Sequence, residues 1–190
     1  RGFAFDVPAK FDLALYSRYD ERAFMGYSLP ITIEWRPKPN APRIFVMGEP
    51  YRYDSLDNGD RITQAINLTA GTDYGIPLNG GRSLFVIGYQ FSNYFSHPSE
   101  DNRFSHRGIL SYAHQFSARM LGQIYYAYQY TDYQDVDRRD HRHILGLSLT
   151  YQFTDHLFGT LGGSWVDNDS DQDRASYQSA GAQAGVTWQF

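Results

Sequence analysis

The stretch Tyr177-Gln178-Ser179-Ala180-Gly181-Ala182-Gln183-Ala184-Gly185-Val186-Thr187-Trp188-Gln189-Phe190 alternates strictly in character. Its even positions read Gln178, Ala180, Ala182, Ala184, Val186, Trp188 and Phe190. Its odd positions read Tyr177, Ser179, Gly181, Gln183, Gly185, Thr187 and Gln189. Successive side chains of a strand point to opposite faces, so this is a strand with one greasy side and one small, polar side.

The same split recurs upstream. Leu145, Leu147, Leu149, Tyr151 and Phe153 oppose Arg142, Gly146, Ser148, Thr150 and Gln152. Leu157, Leu161 and Trp165 oppose Thr160, Gly162 and Ser164, and Ile124, Tyr126, Tyr128 and Tyr130 oppose Gln123, Ala127 and Gln129. Tyr112 and Phe116 oppose Arg107, Ser111 and Gln115, and Phe85, Ile87, Tyr89 and Phe91 oppose Gly88, Gln90 and Ser92. Ile62, Ile66, Leu68 and Tyr74 oppose Thr63, Asn67, Thr69 and Asp73, and Met25 to Trp35 alternate against Gly26 to Arg36. With Phe11–Tyr19 as the first, the pattern predicts about ten strands. Between Ile44 and Tyr53 the faces are ambiguous, because Glu49 and Pro50 interrupt either one.

Composition narrows the class. The 190 residues carry 17% aromatics yet a polar mean hydropathy of -0.54. No run of about 18 apolar residues exists for a membrane helix, but a barrel strand needs only about 9–11 residues, apolar at alternate positions. The polar face is too poor in lysine and too rich in Gly, Ser, Thr and Gln for a water-exposed exterior, so it reads as a lumen. A net charge of -4 offers no basic surface for nucleic acid. The absence of cysteine excludes disulfides and thiolate metal sites.

The joints alternate in kind. Arg36–Arg43, Pro77–Arg82, Phe116–Arg119 and Phe153–Leu157 are compact, whereas Asp54–Arg61, Ser96–Arg103, Asp132–Arg142 and Val166–Ser176 are longer on average and acidic. Short turns at one end and longer polar loops at the other describe an up-and-down meander of the outer-membrane kind. The expected fold is therefore all-β, an antiparallel transmembrane barrel over residues 1–190, closed because a free edge in lipid would strand backbone groups.

The terminal Gly185-Val186-Thr187-Trp188-Gln189-Phe190 resembles the C-terminal signature of Gram-negative bacterial outer-membrane β-barrels, the porin-like superfamily. That resemblance implies an outer-membrane location with a periplasmic C-terminus. It also implies recognition by the barrel-assembly machinery through Val186, Trp188 and Phe190. Trp35, Tyr128, Tyr151, Phe153, Trp165, Trp188 and Phe190 are expected in the aromatic girdles. Outer-membrane lipid and lipopolysaccharide are the expected surroundings, with periplasmic or membrane subunits as further partners. Residues 1–10 read as the remnant of a preceding strand and a turn at Pro8-Ala9-Lys10, which would make the chain the C-terminal part of a larger barrel.

Several charged groups fall on the inward parity. Arg18, Arg107 and Arg142 lie toward the loop end, and Glu34, Arg36 and Asp73 toward the turn end. They are either ion pairs that plug a narrow interior or a charged lining that sets selectivity. The run Asp167–Asp173 lacks the glycine and glutamate of a calcium loop, and no metal is expected. His141 and His143 share a face of lipid-facing parity, where they would sit at headgroup level beside arginines. His97-Pro98-Ser99 matches the letters of a lipase motif but lies in a loop. The sequence thus predicts a passive channel or exporter-type barrel without cofactor. The alternative is a non-conducting adhesin, receptor or assembly partner that acts through its acidic loops. A third reading, an outer-membrane hydrolase, is set aside for want of a convergent Ser/His/Asp set, so no enzyme activity is expected.

Overall fold

In the computed structural model the described residues are 2–14, 24–38, 40–56 and 61–188, with only the backbone described at 12–14. They form β1 (Gly2–Asp6), β2 (Lys10–Ala14), β3 (Phe24–Ser28), β4 (Ile31–Arg36), β5 (Arg43–Ser55) and β6 (Arg61–Leu78). There follow β7 (Ser83–His97), β8 (Arg103–Ser117), β9 (Met120–Tyr133), β10 (Arg139–Gln152), β11 (Leu157–Ser170) and β12 (Tyr177–Trp188). One sheet contains all twelve in the order β1-β4-β5-β6-β7-β8-β9-β10-β11-β12, and β3 pairs with both β2 and β5. Sequential neighbours joined by short links pair side by side, as antiparallel hairpins allow.

The register shows why twelve strands make ten staves. Asp6 stands opposite Thr32 and Lys10 opposite Ser28, the same register on both sides of the gap at Val7-Pro8-Ala9. Residues 2–14 are therefore one strand with a lapse, and the turn expected at Pro8–Lys10 is not formed. Likewise β3 and β4 face β5 in a single register, Ser28 opposite Tyr51 and Ile31 opposite Gly48.

The cause of the lapse is legible in bonding terms. That register sets Pro8 against Pro30 and Leu29 against Pro50. Leu29 N–H donates to Pro50 C=O at 3.1 Å, so Leu29 bonds toward β5 and, by alternation, Pro30 bonds toward Pro8. There the two residues would exchange N–H···O bonds, and neither has an N–H. Three prolines at one height thus remove three ladder donors without orphaning any.

The strands gather into two groups. The first comprises residues up to 72 with 90–105 and 132–137; the second comprises 73–89, 106–131 and 138–190. In the first group β5 resolves the ambiguous stretch: Phe45 is buried while Ile44 and Val46 are exposed on the apolar face. The polar face is not uniformly small. Tyr51 stacks with Tyr53 and Tyr94 at centroid distances of 5.5 and 5.4 Å, and the Arg103 guanidinium lies 4.0 Å over Tyr94. Ala65 and Thr69 of β6, on the polar face of the same group, are both buried.

In the second group the ladders are unbroken. β10 pairs β11 from Asp140↔Ser170 to Gln152↔Phe158, and β11 pairs β12 from Asn168↔Tyr177 to Leu157↔Trp188. The Leu145↔Trp165, Leu149↔Leu161 and Leu161↔Ala184 pairs all lie on the apolar face. Leu147 on that face is 59% exposed. Pairing runs further toward the loops than the sequence suggests. Asp167, Asn168 and Asp169, expected in a loop, are strand residues, because their backbones continue the β10 ladder. The loop before Arg139 shortens for the same reason.

Candidate lumen and rim sites

On the polar face of the second group, Arg107 of β8 and Arg142 of β10 stand on either side of β9. Ala127 of β9 is completely buried, a methyl-sized residue where longer side chains need room. Tyr125 of β9 leans over Gly146 so closely that a Cβ there would meet its Cε1 at 2.1 Å. Arg107 is within electrostatic reach of both Tyr125 and Arg142. The Nε of Arg107 and the Nε of Arg142 are each buried without a hydrogen-bond partner among the described residues. Neither arginine forms a salt bridge among the described residues. Two like charges within reach of each other, with no carboxylate bound to them, leave that wall positive.

The other predicted lining residues differ. Glu34 and Arg36 share the polar face of β4 in the first group, where Arg43 Nη1 donates to Glu34 Oε1 at 2.7 Å. That pair neutralises Glu34. Asp73 is half-buried on the polar face of β6, in the second group. Arg18 and Phe190 lie outside the described residues. Trp35, Tyr128, Tyr151, Phe153, Trp165 and Trp188 are all exposed on the apolar face, together with Val186. Tyr151 and Phe153 pack edge to face at 5.1 Å beside the turn that leads to β11.

At the loop end of the second group, Asp140 is the organising group. Arg138 donates from Nε at 2.9 Å and from Nη2 at 2.5 Å, and Ser170 Oγ donates at 2.5 Å. Burial opposes ionisation of Asp140, but the hydrogen bonds from Arg138 and Ser170 outweigh it and hold the carboxyl below its ordinary value. Beside it Asn168 Nδ2 donates to Ala175 C=O at 2.9 Å, and Asp171 N–H donates to Arg139 C=O at 3.1 Å. These bonds stitch the start of β10 to the link between β11 and β12.

Sequence reasoning did not single out Tyr125, and it read Asp140 only as one member of the charged run Asp137–His143. A signal for the first exists: Ile124-Tyr125-Tyr126 puts bulky side chains on consecutive positions, so one of them must face the polar side. Asp140 reads as one acid among several, and only the register shows Ser170 opposite it.

An up-and-down antiparallel sheet with one face apolar along the middle of its strands and the other polar defines an integral β-barrel of the bacterial outer membrane. Among solved structures the chain is similar to OmpTdeltaL8, the loop L8 deletion mutant of OmpT, an outer membrane protein of Vibrio cholerae. The likeness covers 96% of this chain and 75% of that one, at 12% identity and a TM-score of 0.52. Residues 95–190 match the family model described as "Putative beta-barrel porin 2", and the chain belongs to that family. No curated protein matches the sequence. The apolar face is thus the lipid-facing exterior and the polar face the interior. One expectation is corrected here: the chain was expected to be no enzyme. The match to a barrel titled OmpT overturns that exclusion, because a likeness of fold alone gives no ground for denying catalysis, and the exclusion is withdrawn.

Proposed function

We propose that the barrel is a passive outer-membrane channel whose interior favours anions, with its C-terminus and short turns in the periplasm and its longer loops outside. The observation that carries this reading is the pair Arg107 and Arg142. Both are inward, both have a buried, unpartnered Nε, and no carboxylate is bound to either among the described residues. Arginine remains protonated at any relevant pH, so the positive potential is permanent. A low-dielectric wall strengthens it. Carboxylates at the loop end oppose this weakly, since solvated charges are screened within about 8 Å at physiological salt.

The test is ion selectivity in planar bilayers. The parent should pass anions in preference to cations, and Arg107→Glu with Arg142→Glu should shift the reversal potential toward cations. Conductance with unchanged selectivity in the double variant would show that the arginines serve only packing. Absence of conductance in the parent would favour a barrel that binds partners through its loops.

A further inference from the structure

The exterior of the second group carries a repeated arrangement that the channel reading does not use. Tyr89 Oη lies 2.5 Å from His106 Nδ1, Tyr128 Oη 2.7 Å from His141 Nδ1, and Tyr126 Oη 2.7 Å from His143 Nδ1. Tyr130 bridges the pairs, 6.5 Å from the His106 ring and 5.3 Å from the His141 ring. Alternating phenol and imidazole rings therefore form a continuous band across β7 to β10 on the lipid-facing side.

Its height follows from β10, whose outward column reads Arg139, His141, His143, Leu145, Leu147, Leu149, Tyr151. From His143 to Tyr151 is eight residues, about 26 Å along the strand at ~3.3 Å each and about 20 Å across the membrane at a ~40° tilt. The apolar band of such barrels is about 25 Å tall. With Tyr151 at one edge, His141, ten residues away, reaches the other at about 25 Å; His143 lies about 5 Å inside it and Arg139 above it, among the headgroups.

The chemistry of the pairs points outward. A phenol can donate or accept, so either imidazole tautomer satisfies the Tyr–His bond. When the phenol donates to Nδ1, the ring proton sits on Nε2, and for His141 and His143 that nitrogen has no protein partner among the described residues. Two fixed N–H donors below an arginine form a receptor for a phosphate. The far side is guarded, because Asp169 stands opposite His141 and Asp167 opposite His143 on the same face. These carboxylates repel a phosphate, which therefore seats on the β8–β10 side.

We propose that the exterior around Arg139, His141 and His143 binds the phosphate headgroup of outer-leaflet lipopolysaccharide, with His141 and His143 donating from Nε2 and the tyrosines fixing their rings. The assignment to the outer leaflet rests on the orientation given under Proposed function; the binding chemistry does not. The experiment titrates the folded full chain in detergent micelles with bisphosphorylated lipid A and with lipid A stripped of its phosphates. His141→Leu with His143→Leu should weaken binding of the phosphorylated lipid about tenfold, or about 1.4 kcal/mol, and leave the stripped lipid unaffected. Asp167→Asn with Asp169→Asn should tighten it.

Unchanged affinity in the histidine variant, or equal loss for both lipids, would overturn the proposal. Displacement by millimolar inorganic phosphate would show a free-phosphate site instead. Weaker binding in the aspartate variant would mean that a cation bridges lipid and carboxylate, which also overturns direct donation. A gel-mobility shift on boiling verifies folding of each variant. If the leucine variant fails that check, Tyr126→Phe with Tyr128→Phe, which removes only the hydroxyls, should still weaken binding of the phosphorylated lipid. Because the micelle titration needs neither conduction nor orientation, its failure is separable from that of the channel reading. Epitope tags in the loops of intact cells test the orientation independently.

Discussion

The staves formed by β1–β4 and those formed by β10–β12 solve the same problem in opposite ways. Both must cross lipid with no unpaired backbone donor. Between β10 and β11 the ladder is complete, from Asp140↔Ser170 to Gln152↔Phe158 without interruption. The N-terminal staves instead stop pairing at Pro8, Pro30 and Pro50, where donors are missing because proline has none. A wall in lipid can therefore lapse only where the sequence has already removed the hydrogen that would be stranded.

The largest expected effect tests whether the unbroken wall is embedded as its parity says. Leu147→Arg should destabilise the barrel by about 2–4 kcal/mol, whereas Ser148→Arg, one residue along and inward, should cost far less in urea titrations. Ile33→Arg in the interrupted wall should cost as much as Leu147→Arg, since depth rather than ladder continuity sets the price. A much smaller cost there would mean that the N-terminal staves sit shallower.

Next comes the tie at the loop end of the C-terminal staves. Asp140→Asn removes the charge that Arg138 and Ser170 serve and should cost about 1.5–3 kcal/mol. The pH dependence has a definite sign. The folded carboxyl titrates below its unfolded value near 3.9, so its contribution is full above about pH 4 and vanishes as pH falls through the lower folded value. The parent should therefore lose more stability than Asp140→Asn as the pH falls below about 4.

Restoring the missing donors is a milder change. Pro8→Thr with Pro30→Thr returns two N–H groups to facing positions and should stabilise by about 1 kcal/mol, less the entropy that proline had saved in the unfolded chain. Amide exchange near residues 28–32 should slow accordingly. No change in protection would mean that the lapse has another cause. The smallest effect belongs to Lys10, whose Nζ lies 3.2 Å from Glu49 Oε1 beside the same lapse. An exposed pair of this kind contributes little, and Lys10→Gln should shift stability by less than about 0.5 kcal/mol.

How much of this the sequence disclosed follows from which quantities are local. The alternation from Leu145 to Phe153 and from Tyr177 onward is a property of neighbours in the chain, so faces, fold and family resemblance could be read directly. Registers are not local. Nothing in the letters places Pro8 against Pro30, His141 beside Tyr128 or Ser170 against Asp140; each depends on how two strands slide past each other. The acidic run beginning at Asp167 misled for a related reason. Its composition is that of a loop, but the backbone of β10 offered it partners, and pairing overrode propensity.

That last feature changes what a dissolved ion meets. A carboxylate on a mobile loop averages over many positions and presents a diffuse cloud of charge. Asp167 and Asp169 instead ride on a hydrogen-bonded ladder, spaced by two strand rises of ~3.3 Å each. They act as electrodes of fixed position on the outer rim of the wall, so the potential there is set by geometry rather than by average composition.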